Sequence, residues 1–363
     1  MNHRFARFDI VLLLIALLGM GMSGCSGDSG GPLPAAQRDI APQRWQDVKT
    51  HIRFGGAASN LTLIARYIAE GMQRRLGDDV LWSMYGGRGF ASYVNVVALG
   101  KGEVDFALTT PPVSAQMGME GKGYFQKAYP NLRAIATFAQ NDWLACVVPA
   151  ELGVSTFEEV KQRQIPLRVA TNPFGTPNAV AFLTEKLFEA HGISLSDLEA
   201  WGGGIVPVSG APEAARKVIS GEANMACHEY WKAFTPLINQ MPVKFLPVSE
   251  EAMEQLSREF GYQRNTIPKG VYKPNVPERD IPAVDYSDWV VLVNSNVPEE
   301  IAYTAAQAAV EDRENGFEIL YMGRPPEERS ADVPLKPEVM WKNVGVPLHP
   351  GAERYYREAG LMP

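Results

Sequence analysis

The chain has 363 residues, 46% of them hydrophobic and 21% charged, with a formal net charge of −7. That length accommodates two domains, and the apolar fraction excludes a chain that is disordered throughout. The acidic balance, without any basic run, excludes nucleic acid as a partner, because phosphate neutralisation needs a surplus of Lys and Arg on one face.

Arg4 and Arg7 precede an apolar run from Ile10 to Met22, which is followed by Ser23, Gly24 and Cys25. A mature bilayer span takes about 20 residues. This run is shorter and reads as the core of a secretory leader over residues 1–24. A Cys after two small residues matches a bacterial lipobox, with Met22 where Leu is usual. Cys25 is therefore expected to carry lipid and anchor the protein to a membrane on the periplasmic side. Residues 25–47 read as a flexible tether. Within it Gly27-Asp28-Ser29-Gly30-Gly31-Pro32 imitates the nucleophile loop of trypsin-like proteases, but the His and Asp partners of such enzymes lie upstream, where this chain has no domain.

From Lys49 onward, strands and helices alternate. His51–Phe54 predicts a strand and Asn60–Leu76 an amphipathic helix, with Leu61, Ile64, Ile68 and Met72 at helical spacing. Val80–Met84 is a strand, Ser92–Leu99 a helix and Val104–Leu108 a strand. Leu132–Phe138 and Leu144–Val148 are further apolar runs. The pattern repeats with a strand at Leu167–Ala170, a helix at Pro177–His191, a strand at Val206–Val208 and a helix at Pro212–Ile219. Strands at Ala223–Cys227 and Val243–Val248, a helix at Glu250–Phe260, a strand at Trp289–Val293 and a helix at Pro298–Glu314 complete it. This order predicts an α/β fold with parallel sheets covered by helices. The apolar strands near 143–148 and 289–293 are expected to cross between two lobes as a double hinge. Gly202-Gly203-Gly204 reads as a flexible connection. Cys146 and Cys227, in apolar contexts, read as buried free thiols, with one disulfide as the alternative in an oxidising compartment.

Gly, Ser, Thr and Asn cluster just after predicted strands and just before helices, at Gly55–Asn60, Gly86–Ser92, Thr109–Pro111 and Asn172–Asn178. These are the carboxyl ends of the strands, where open α/β folds bind ligands, and helix N-termini there offer N–H groups to carboxylates. Gly56, Ser59, Asn60, Arg88, Ser92, Thr109, Phe174, Gly175 and Thr176 are candidate ligand contacts on this basis. The Arg88 guanidinium suits a bidentate carboxylate. No pair of His residues, and no His with Cys or carboxylate, has metal-ligand spacing, and no phosphate loop occurs. His228 and Glu229, adjacent in a strand, are expected to face opposite ways. No catalytic residue, metal or cofactor is therefore expected.

The segment Pro347-Leu348-His349-Pro350-Gly351-Ala352-Glu353-Arg354-Tyr355-Tyr356-Arg357-Glu358-Ala359-Gly360-Leu361 resembles the TAXI class of solute receptors of tripartite ATP-independent periplasmic (TRAP) transporters. Asn95–Asp105, Phe174-Gly175-Thr176, Leu187–Ile193, Ile267–Tyr272 and Val297–Tyr303 stand in family order. The resemblance implies a two-lobed periplasmic-binding-protein fold of type II topology. Lobe I would take residues 48–145 and 286–363, and lobe II residues 146–285. It also implies an extracytoplasmic receptor, not an enzyme, that passes a small carboxylate or amino-acid solute to a TRAP membrane permease. Carried over by position, the contacts are Ser59, Asn60, Ser92, Asn95, Gly175 and Thr176, with the segment around His228 and Tyr230 on the far lobe. Asn60-Leu61-Thr62 replaces the family's paired aromatics, so solute identity does not carry over. A sensor of the same fold, uncoupled from transport, is the competing reading.

Overall fold

A computed structural model of the protein describes residues 50–56, 60–77, 80–86, 92–272, 275–314 and 335–363. The leader, the tether and Cys25 lie outside these residues, as do Ser59 and Arg88. The first sheet and its cover are built from β1 (Thr50–Gly56), α1 (Asn60–Leu76), β2 (Val80–Gly86), α2 (Ser92–Gly100), β3 (Phe106–Thr109), α3 (Val113–Glu120) and β4 (Leu132–Phe138). The chain then enters a second sheet with β5 (Trp143–Pro149). There follow α4 (Phe157–Gln162), β6 (Arg168–Thr171), α5 (Ala179–Ala190), α6 (Leu195–Ala200), β7 (Gly204–Pro207), α7 (Ala211–Ile219) and β8 (Met225–His228). Next come α8 (Thr235–Gln240), β9 (Val243–Phe245), α9 (Glu250–Phe260), β10 (Arg264–Ile267) and β11 (Ile281–Asp285). β12 (Trp289–Asn294) returns to the first sheet, and α10 (Glu299–Glu311) and α11 (Pro350–Glu358) close it.

The first sheet has the order β2-β1-β3-β12-β4, and the second β10-β11-β5-β8-β6-β7 with β9 beside β5. A strand returning from the other sheet thus sits between β3 and β4, the type II arrangement. The alternation of elements predicts parallel sheets, but neither sheet is parallel throughout. β12 runs antiparallel to β3 and β4, and β5 antiparallel to β8, because these strands are reached through the crossings rather than through a helix. The crossings themselves lie ahead of the apolar strands. β5 pairs with β11 at Trp143 and Leu144, at its own start.

α1 forms as its spacing predicts, with Leu61, Ile64, Ile68 and Met72 all buried against the first sheet. The Tyr67 hydroxyl donates to the carbonyls of Ala308 and Ala309 at 2.8 and 3.0 Å, tying α1 to the alanine-rich face of α10. α11 is set by its own start: His349 Nδ1 accepts from the Gly351 N–H, with Pro350 at the first helical position. Its Tyr356 hydroxyl reaches Ile135 O of β4 at 3.1 Å. A further buried cluster runs continuously from Tyr93, Val96 and Leu99 through Leu144 and Cys146 to Phe182 and Leu183, so apolar packing joins elements of both sheets.

Two expectations are corrected. Cys146 and Cys227 are directly opposed across β5 and β8 with Cα atoms 4.2 Å apart, and they form a disulfide rather than free thiols. Gly203 is no flexible connector: a Cβ there would collide with the backbone of Leu167, so the glycines allow the chain to pass tightly into β7.

Candidate functional site

The parallel strands β1, β2 and β3 end together at Gly56, Gly86 and Thr109. A Cβ on the preceding Gly55 would stand 3.3 Å from Asn95 Oδ1, so the end of β1 runs close beneath α2. Ser92, Asn95 and Thr109 are brought together here, and their polar atoms engage one another's segments. Asn95 Nδ2 donates to Leu108 O at 2.8 Å, the Thr110 N–H to Ser92 Oγ at 3.3 Å, and Thr109 Oγ1 to Ser92 O at 3.5 Å. All three are buried. Thr110 Oγ1 then donates to Asp288 O at 2.8 Å, fastening this edge to the return crossing.

On the second sheet, β6, β7 and β8 are parallel and end at Thr171, Pro207 and His228. Phe174 and Thr176 are half-buried in the loop after β6, and Gly175 is exposed with φ +73°. Thr176 Oγ1 donates to Pro173 O at 2.6 Å, while Asn178, two residues on, caps α5 through the N–H groups of Val180 and Ala181. The first turns of α2 and α5 meet. Tyr93, adjacent to Ser92, lies edge-on to Phe182 in the first turn of α5, with ring centroids 6.0 Å apart. Its hydroxyl is 3.5 Å from that of Tyr262.

Sequence reasoning named the segment around His228 and Tyr230, at the end of β8, but missed the acid on which it closes. Asp142, in the first crossing, is buried, and its carboxylate accepts N–H groups from Trp143 (2.9 Å), Tyr230 (2.9 Å) and Trp231 (3.3 Å). Tyr230 makes the turn that allows this, with φ +63°. The same turn swings Glu229 back, so that its carboxyl hydrogen-bonds Asp142 and its Oε1 stands 3.5 Å from His228 Nδ1. His228 and Glu229 therefore approach each other, against the strand expectation. Trp231 stacks on Trp143 at 5.6 Å and meets Tyr272 edge-on, which makes it a wall of the lobe interior.

The electrostatics follow from burial. Desolvation pushes Asp142 up to about 7 against the pull of its three N–H donors, and pushes Glu229 well above the usual carboxylate range with Asp142 reinforcing it. Burial pushes the His228 imidazole down to about 4. Neither nitrogen of His228, nor Trp143 Nε1, has a hydrogen-bond partner among the described residues. The legible signal was the polar pair Asn141-Asp142 interrupting two apolar runs. Cysteine, histidine and carboxylate groups in sets of three able to hold a metal ion are absent among the described residues.

A family model described as the NMT1-like family matches residues 55–360. Among solved structures, the chain is similar to PhnD1 from Prochlorococcus marinus in complex with methylphosphonate, at 11% identity and a TM-score of 0.49, covering 86% of this chain and 99% of that one. It is similar to MatC from Rhodopseudomonas palustris with bound malate, at 15% identity and a TM-score of 0.46, covering 86% and 97%. It is also similar to a TctC solute binding protein from Polaromonas, at 14% identity and a TM-score of 0.45, covering 75% and 88%.

Proposed function

The chain belongs to the NMT1-like family, and from that premise we propose that it is an extracytoplasmic solute-binding receptor that captures a small carboxylate-bearing solute and delivers it unchanged to a TRAP-type permease. In this reading Cys25 tethers the protein to a membrane by lipid, and the two lobes hinge about the crossings at 139–142 and 286–288. Solute is held between them, and only the closed form engages the permease.

One observation carries the reading: Tyr93, beside Ser92, packs on Phe182, in the helix that follows Gly175 and Thr176. Ser92 and the Gly175–Thr176 loop, at the carboxyl ends of two separate sheets, are thereby brought near each other, the place where a ligand bridges two halves. Gly56, Asn60, Ser92, Gly175 and Thr176 offer backbone N–H donors to a carboxylate, the Thr176 hydroxyl being committed to Pro173 O. Asn95 and Thr109 hold the first loop in place. His228 and Tyr230 shape the opposite wall.

The reading is tested by screening carboxylic and amino acids against the mature protein by thermal shift and calorimetry, with small-angle scattering on any hit. The expected result is a ligand that raises Tm and makes the protein more compact. A broad screen with neither effect contradicts the reading, as does turnover of the bound compound. Uptake by proteoliposomes carrying a TRAP permease, dependent on added receptor, tests the transport coupling.

A further inference from the structure

The two crossings concentrate acids. Asp142 lies in the first, Asp285 and Asp288 border the second, and Glu229 leans on Asp142 from the end of β8. Among the described residues, none of the four is paired with Lys or Arg. Neutral groups hold them instead. Asn265 Nδ2 donates to Asp285 Oδ1 at 2.8 Å and to Asp142 O at 2.9 Å, and Ser287 Oγ donates to Asp285 Oδ1 at 2.6 Å. Asn343 Nδ2 donates to Asp288 Oδ2 at 2.9 Å. The nearby Lys232 sits over the ring of Trp231, 5.2 Å from its centroid. The phenols of Tyr272 and Tyr286 also face the pair, and both are kept neutral by burial.

Resting on the hinge of the proposed receptor, we propose that closing its two halves takes up a proton at the Asp142–Glu229 pair, so that acid favours the closed form and rising pH releases it. Two carboxyls in contact do not both ionise in a buried setting. Asp142, with three backbone donors, takes the charge, and Glu229 keeps the proton. His228 supplies an independent sign. Its imidazole is 3% exposed, has no hydrogen-bond partner among the described residues, and aims Nδ1 at Glu229 Oε1 from 3.5 Å. An ionised Glu229 at that distance would draw a proton onto the ring; a neutral ring beside a protonated acid is the cheaper buried arrangement.

The sign is fixed by linkage. Opening the crossings admits water and returns the acids toward their ordinary range, so the closed form binds more protons. Stabilisation of the closed form is full below the ordinary carboxylate range and fades as pH rises above it, toward the raised range in which burial and Asp142 hold Glu229. Burial raises Asp285 and Asp288 in the same direction. His228 has the opposite sign, but it pairs with Ala145 in the sheet interior beside α7, so hinge opening leaves it buried.

The test uses the full mature chain with Cys25→Ser, labelled through Val94→Cys and Leu195→Cys, positions exposed on α2 and α6. Single-molecule energy transfer is recorded from pH 5 to 8.5 without solute. The closed, high-transfer population is expected to fall at least fivefold across that range. Glu229→Gln should hold it high at every pH. Should Glu229→Gln not fold, small-angle scattering of the unlabelled wild-type chain reads the same pH-dependent expansion. A flat wild-type profile, or a Glu229→Gln profile as steep as wild type, overturns the proposal. Since no solute is present, that failure leaves the receptor reading standing, and an empty ligand screen would not mimic it.

Discussion

At the scale of single residues, His228 makes the sharpest prediction. It is a base held at about 4 in the fold against an ordinary value of 6.5. The unfolded chain therefore binds more protons between those values, and the fold loses stability as pH falls from 6.5 toward 4. Full burial makes the loss ~3 kcal/mol. The Asp142–Glu229 pair has the opposite sign, so the difference between proteins isolates the ring: His228→Leu should show a smaller drop in urea midpoint between pH 7 and pH 4.5 than the wild type. Equal drops would mean the ring is not buried neutral. The residue scale is also where the sequence is partly opaque. Ser92, Asn95 and Thr109 are legible as a polar set at strand ends. That Asn95 Nδ2 is already committed to Leu108 O is not, because sequence names polar atoms without naming their partners.

At the scale of elements, local chemistry explains what was legible. α1, α9 and α10 follow their apolar periodicity to within a few residues, and α5 is bounded by Asn178 ahead of it and Gly192 behind. β10 and β11, an antiparallel pair with partly exposed, mixed sequences, carry no period to read. The short α3, α4 and α6 are likewise too brief for one. Strand direction and register are invisible for the same reason: they are set by crossings between distant segments. The disulfide is the clearest case, since β5 and β8 become neighbours only in the fold. It joins residues 81 apart, and cutting a loop of that length should cost ~4 kcal/mol through the entropy of the unfolded chain. Urea denaturation of the Cys146→Ala/Cys227→Ala protein, or of the protein in strong reductant, should show a midpoint lowered accordingly. An unchanged midpoint would mean the cross-link adds nothing to the fold.

At the scale of the molecule, β4 leaves the first sheet and β12 re-enters it beside β3 and β4, so two crossings run side by side and neither half is covalently independent. The two-sheet α/β class follows from alternation in the sequence, whereas the mixed strand directions follow from those crossings. The crossings touch the segments that follow β3 and β8: Thr110 Oγ1 donates to Asp288 O, and the Asp142 carboxylate accepts from the Tyr230 and Trp231 N–H groups. The central claim is that a solute is gripped between the two halves and released unaltered. Its most direct test is a crystal structure of the protein isolated from its native envelope with whatever solute co-purifies, paired with mass spectrometry of the released compound. The account predicts density touching the Ser92 loop on one side and the Gly175–Thr176 loop or Glu229–Tyr230 on the other, and a released mass equal to that of the bound compound. Density on an outer face of either sheet, or a compound converted on incubation, would contradict it.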